Sequence, residues 1–84
     1  MQMSYEKVAQ ASNRIVGTKQ TLRALNIGNA LEVIVAADAD PRITSFIIAV
    51  ANEKGISVTV VDSKKQLGKA CGIDVGATAV TITQ

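Results

Sequence analysis

The residues best suited to chemistry fall into small, separate groups. Gly17-Thr18-Lys19-Gln20 sets a glycine and free backbone amides at the start of an expected helix, with Lys19, Gln20 and Arg23 on its first turns. Such a helix start attracts phosphate, because its unpaired N–H groups and its dipole point at the anion. Its Lys, Arg and Gln side chains can also enter a nucleic-acid groove and bond base edges. It is not a nucleotide P-loop, since the Gly-Lys-Ser/Thr ending is missing. On this segment alone, an ordinary helix cap with solvated charges is the better reading.

Asp38 and Asp40 form a carboxylate pair of the kind used in acid–base or metal chemistry. Asp40 already has a structural task as the cap before Pro41, and hard-metal sites need more oxygen ligands than this loop offers. The structural reading is preferred for both. Cys71 falls on an apolar helix face with Leu67, where a buried, inert thiol fits better than a nucleophile without a histidine partner. Gly72-Ile73-Asp74-Val75-Gly76 places apolar residues in a short loop between glycines that leave it conformationally free. Exposed apolar loop residues mark contact surfaces, whereas a plain connector would tuck Ile73 and Val75 under neighbouring helices. Both readings stay open.

Composition removes whole classes of chemistry. The 84 residues contain no His, which takes away the commonest general base and metal ligand. The single Cys closes no internal disulfide and builds no Cys-rich zinc site. With no Trp, one Tyr and one Phe, stacking of splayed bases on aromatic rings is nearly excluded. No catalytic residue, cofactor or metal is assigned. No apolar run is long enough to span a bilayer, and the first residues lack the apolar stretch of a secretory signal. No membrane association is expected, and the expected location is cytoplasmic.

The net charge of +2 is unevenly spread. Lys7, Arg14, Lys19 and Arg23 dominate residues 1–31, and Lys64, Lys65 and Lys69 dominate the last third. Between them lie Glu32, Asp38, Asp40, Glu53 and Asp62. Two basic segments meeting on one face would make an anion-binding patch. On charge alone, a solvated and mixed surface is the better reading.

The elements that must position these groups alternate along the chain. Ser4 is the expected cap of a helix running to about Asn13, with Val8 and Ala11 facing inward. Ile15-Val16 reads as a very short strand. Thr18 is the expected N-cap of a helix over Lys19–Asn26 that stops at Gly28. Residues 31–37 form a nearly continuous apolar run, the pattern of a strand covered on both faces. Asp40-Pro41 starts a helix in which Ile43, Phe46, Ile47 and Val50 recur at helical spacing until Gly55. Residues 56–61 form a second apolar strand, and Ser63-Lys64-Lys65-Gln66 reads as a capping box opening a helix that ends at Gly72. Residues 77–83 close the chain as a further strand. Strand–helix–strand over 31–61 predicts a right-handed parallel crossover. The expected architecture is one α/β domain over residues 1–84, a three-layer α/β/α sandwich with a mixed sheet whose interior strands are 31–37 and 56–61.

Three blocks together carry a resemblance across nearly the whole chain, from Tyr5 to Ile82. They are Gly17-Thr18-Lys19-Gln20-Thr21-Leu22, the junction Val35-Ala36-Ala37-Asp38-Ala39-Asp40-Pro41, and Ser63-Lys64-Lys65-Gln66-Leu67-Gly68-Lys69-Ala70-Cys71-Gly72. In this order the chain resembles the kink-turn RNA-binding family of ribosomal proteins, the L-seven-Ae and L-thirty-e superfamily, and within it the small bacterial members. The resemblance implies a non-enzymatic domain that binds sharply bent RNA internal loops carrying tandem sheared G·A pairs. It implies that Gly17, Thr18, Lys19, Gln20 and Arg23 meet the RNA beside those pairs, that Lys64 contacts the backbone, and that Ile73, Asp74 and Val75 cover extruded nucleotides. Ribosomal RNA, a riboswitch and a ribonuclease P-type RNA all fit. DNA binding is not implied, and the domain is expected to act as a monomer.

Two positions depart from the archaeal pattern. Lys19-Gln20 stands where that pattern has Asn-Glu, so the base-edge hydrogen bonds do not carry over unchanged. Gly76 replaces a common Pro, which leaves the loop less preorganised. The alternative function is a small regulatory protein-interaction module that uses the same fold without RNA. A hydrolase or transferase built on Asp38 and Asp40 ranks last, because no nucleophile–base pair can be assembled.

Overall fold

The structure is a computed structural model that describes the backbone of residues 3–83 and the side chains of residues 5–83. Its elements are α1 (Met3–Gln10), β1 (Arg14–Val16), α2 (Thr18–Ile27), β2 (Ala30–Ala36), α3 (Pro41–Glu53), β3 (Ser57–Val61), α4 (Lys64–Ala70) and β4 (Ala79–Thr83). The sheet order is β1-β4-β2-β3. β2 and β3 are parallel, and β4 runs antiparallel to both β1 and β2. β1, β2 and β3 therefore share one direction, with β4 inserted against it.

Alternate residues of the central strand feed two separate cores, as a pleated strand requires. Ile34 and Ala36 pack with Val8 of α1, Leu67 of α4, Val61 and Val80. Val33 and Val35 pack on the opposite face with Ala24 and Leu25 of α2, Ile47 and Ala51 of α3, and Ala79. Each large aliphatic side chain buried in this way contributes about 1.5–3 kcal/mol relative to exposure. This is the expected α/β/α sandwich with a mixed sheet.

The structure corrects several expectations. β3 is an edge strand, and Val60 is 56% exposed. The interior partner of β2 is instead β4, whose alternating threonines look too polar for that place. The reason is Thr81, whose buried hydroxyl donates to Thr21 Oγ1 at 2.8 Å and so is satisfied within the core. The ladder between β2 and β4 shifts register between Ala30 and Glu32, and Leu31 is left exposed. On α3 Ile47 and Ala51 are buried and Ile48 and Val50 pack half-buried against the core, while Phe46 is 58% exposed and Ile43 is also exposed.

Three helix starts also differ in detail. α1 begins before Ser4 and ends at Gln10, and the side chain expected to cap it lies outside the described residues. The N-cap of α2 is Gly17, not Thr18, and no side chain caps it. At α4, Ser63 Oγ accepts from the Gln66 amide at 3.1 Å, but the Ser63 amide donates to the Tyr5 hydroxyl at 3.1 Å, so only half of a capping box forms. Asp40 caps α3 as expected, accepting from the Arg42 amide at 2.9 Å with Pro41 in the first helical position.

Candidate nucleic-acid interface

Because β1, β2 and β3 point the same way, α2, α3 and α4 all start at one end of the sheet. β4 also begins there, with Val80 opposite Val16 and Ala79 opposite Val35. The Gly17 amide donates to the Ala79 carbonyl at 3.0 Å, and the Ala36 amide to the Thr78 carbonyl at 3.0 Å. The start of α2 and the segment entering β4 are thus hydrogen-bonded neighbours.

Gly17 turns the chain from β1 into α2 at φ 123°, a conformation that L side chains rarely adopt. A β-carbon there would also stand 2.5 Å from Gln20 Oε1. Beyond it Thr18 is half-buried, and Lys19, Gln20 and Arg23 are exposed. Among the described residues neither Lys19 nor Arg23 makes an ion pair. With no side-chain cap, the first amides of α2 stay open to an acceptor from outside.

Lys64 begins α4 at the same end, its side chain exposed and its backbone held on both sides. Its amide donates to Asp38 Oδ1 at 2.8 Å, and its carbonyl accepts from the Ala77 amide at 3.0 Å. α4 has only 7 residues, yet the chain must return from its far end to the start of β4. The connecting loop does so along the helix. The Ile73 amide donates to the Gly68 carbonyl at 3.1 Å, and Ile73 packs half-buried against the Val8–Leu67 core. Val75 is 69% exposed, and Asp74 is exposed beside it. Ile73 is therefore an anchor, and Val75 is the aliphatic residue the loop presents. Despite its flanking glycines, the loop is fixed at Ile73 and again at Ala77.

The other chemical candidates have structural partners. Asp40 takes the Arg42 guanidinium at 2.9 Å, and this partner holds its carboxyl below the ordinary aspartate range. Asp38 ties the β2–α3 connection to α4. Among the described residues no group of three or more His, Cys, Asp or Glu is placed to hold a metal. Cys71 is buried at the end of α4, where burial pushes its thiol above the ordinary value against the opposing influence of Arg14. An open groove of about 500 Å³ between α1 and α4, lined by Tyr5, Asp62, Gln66 and Lys69, contains none of the candidate site residues. No described helix is long and apolar enough to cross a membrane.

The fold and this end together define a class: a small α/β/α domain that carries unpaired cations, an uncapped helix start and an aliphatic loop at one end of its sheet. The chain belongs to the ribosomal protein L7Ae/L30e/S12e/Gadd45 family, whose model matches residues 2–84. It is similar to an RNA-binding protein of Geobacillus sp. (strain WCH70), 62% identical over 80 residues that cover 95% of this chain and 98% of that one. An RNA-binding protein of Bacillus pumilus is 56% identical over the same shares of the two chains. Among solved structures, the Giardia lamblia 15.5kD RNA binding protein superposes with a TM-score of 0.82 at 32% identity, over 95% of this chain and 68% of that one. A protein of unknown function from Bacillus halodurans has the same fold, with a TM-score of 0.83 at 22% identity, over 95% of this chain and 80% of that one.

Proposed function

We propose that this chain is a non-enzymatic RNA-binding protein that recognises kink-turns in structured cellular RNA, such as ribosomal or riboswitch RNA, and acts as a cytoplasmic monomer. The observation that carries the reading is that Lys19 on the first turn of α2, Arg23 one turn on, Lys64 at the start of α4 and the loop presenting Val75 belong to elements that start or return at one end of the sheet, beside the open amides of Thr18, Lys19 and Gln20. Lysine and arginine supply affinity for any phosphate backbone. Lys19 and Gln20, on the first turn of α2, are the groups able to bond base edges in a widened groove. The exposed Val75 gains where an unstacked nucleotide is presented, which a bent internal loop does and a straight duplex does not. The family match and the names of the relatives support RNA as the partner.

The test is electrophoretic migration on a kink-turn RNA and on the same RNA with its G·A pairs replaced, at several salt concentrations. The expected result is tight, salt-dependent binding to the first and weak binding to the second. Equal binding to both would leave generic RNA affinity. Binding to neither would favour a protein-interaction module.

A further inference from the structure

Three amides at the start of α4, those of the cap Ser63 and of Lys64 and Gln66, have side-chain acceptors within the chain. The Ser63 amide donates to the Tyr5 hydroxyl at 3.1 Å, the Lys64 amide to Asp38 Oδ1 at 2.8 Å and the Gln66 amide to Ser63 Oγ at 3.1 Å. Ser63 is local and Tyr5 comes from α1, but Asp38 lies in the connection between β2 and α3. α2, at the same end of the sheet, has no side-chain cap. The two helix starts therefore differ: no side chain caps α2, whereas side chains of Asp38 and Ser63 take the Lys64 and Gln66 amides of α4.

Asp38 is an exposed carboxylate at the end of the sheet where Lys19 and Lys64 are exposed without an ion pair among the described residues. A negative charge there repels phosphate, so it needs a compensating task if this end meets RNA. Its bond to the Lys64 amide is charge-assisted and lies at the positive end of the α4 dipole. Lys64 passes the constraint on, because its carbonyl accepts from the Ala77 amide at 3.0 Å. Gly76 lies close against the same residue, so that a β-carbon on it would stand 3.2 Å from Lys64 Cβ. One carboxylate thus fixes the backbone of an exposed lysine, and that lysine fixes the return of the loop that presents Val75.

We propose that Asp38 is a positioning residue for the RNA-binding end, holding Lys64 where its ammonium meets the RNA backbone. The proposal rests on the RNA-binding reading above. Asp38 touches no RNA itself. Its charge is a cost to binding that its hold on Lys64 outweighs.

The experiment compares the parent with Asp38→Ala, Asp38→Asn, Lys64→Ala and the double variant Asp38→Ala/Lys64→Ala. Each is titrated with a kink-turn RNA and its G·A-replaced control across a salt series. Asp38→Ala is expected to weaken binding about three- to tenfold, the range of one lost hydrogen bond. It should also reduce the salt slope by about one phosphate contact, as Lys64→Ala does. Asp38→Asn keeps an acceptor oxygen without the charge and is expected to bind at least as tightly as the parent. The double variant should have the salt slope of Lys64→Ala alone. An unchanged slope for Asp38→Ala, or a slope lowered further in the double variant, overturns the proposal. So does tighter binding by both Asp38 variants, since the carboxylate would then act only by repulsion. Failure of the kink-turn reading shows separately, as equal binding of the parent to the two RNAs. The salt slopes then still report whether Asp38 acts through Lys64.

Discussion

Gly68 lies directly against the carbonyl of Val75: a β-carbon on Gly68 would overlap that oxygen and stand 3.0 Å from the carbonyl carbon. The glycine is buried inside α4, where it is a poor helix former, and its φ is not in the left-handed region. Space, not backbone freedom, requires it. Gly68→Ala should gain up to about 1 kcal/mol in helix propensity and lose about 1–3 kcal/mol by forcing the loop off the helix. The net expectation is a lower melting temperature and weaker binding to kink-turn RNA, because Val75 moves with its carbonyl. A melting temperature above the parent's would show that the loop yields freely.

Thr21 and Thr81 share one buried hydrogen bond across the interface between α2 and β4. Removing one hydroxyl leaves the other without a partner, so Thr21→Val or Thr81→Val should each cost about 1–3 kcal/mol. The double variant removes both polar groups and should recover much of that loss. Denaturant titration of the three variants checks it. Additive losses would mean that the threonines matter by shape alone.

Much of the fold is legible because its signals are local. Asp40-Pro41 marks the start of α3, Gly28 marks the end of α2, and the residue run 31–37 marks the strand at the centre of both cores. The order of strands is not local, and there the reading fails. Residues 56–61 carry Ile56, Val58, Val60 and Val61 and read as an interior strand, yet Ser57–Val61 forms the edge and exposes Val60. β4 has the same two polar residues of five and is interior, where Thr21 satisfies Thr81 from 60 residues away. The candidate site divides in the same way. The Gly17–Arg23 segment announces itself by composition, whereas the hold of Asp38 on Lys64 joins residues 26 apart and leaves no periodic signal.

Lys19 and Arg23 should contribute to RNA binding in different ways. Lys19→Ala removes a base-edge donor and is expected to cost about 1–3 kcal/mol while weakening discrimination for the G·A pairs. Arg23, one helical turn further on, is placed for phosphate. Arg23→Ala should weaken binding to both RNAs alike and flatten the salt slope. Parent-like binding by both variants would move the site elsewhere.

Two groups on the α1/α4 side link stability to alkaline pH. Burial pushes the Tyr5 phenol up, and the hydrogen bond to Asp62 pushes it further in the same direction. Burial does the same for the Cys71 thiol. A folded-state value above the unfolded one means that the folded chain holds the proton more tightly. Each contribution is fully present below the unfolded value and is lost as pH rises through the raised folded value. Stability should therefore fall on the alkaline side, above the ordinary thiol and phenol range, and Tyr5→Phe should flatten the upper part of that fall. Cys71 should react with a thiol reagent far more slowly in the native protein than in the unfolded chain. Equal labelling rates would place the thiol at the surface.

Ile73 and Val75 sit two residues apart in one loop and should separate stability from recognition. Ile73 is half-buried against the core that contains Val8 and Leu67, so Ile73→Ser should lower the melting temperature. Val75 is exposed, so Val75→Ser should leave the melting temperature near the parent's. The consequences for RNA run the other way. Lysines bind phosphate on almost any RNA and supply affinity without identity. An exposed aliphatic side chain gains only where an unstacked nucleotide covers it, and for one valine that gain is on the order of 1 kcal/mol after ordering costs. Val75→Ser should accordingly weaken binding to kink-turn RNA about fivefold and leave weak binding to straight duplex unchanged. Equal losses on both RNAs would mean that the loop contacts backbone, and no loss on either would mean that Val75 faces solvent in the complex.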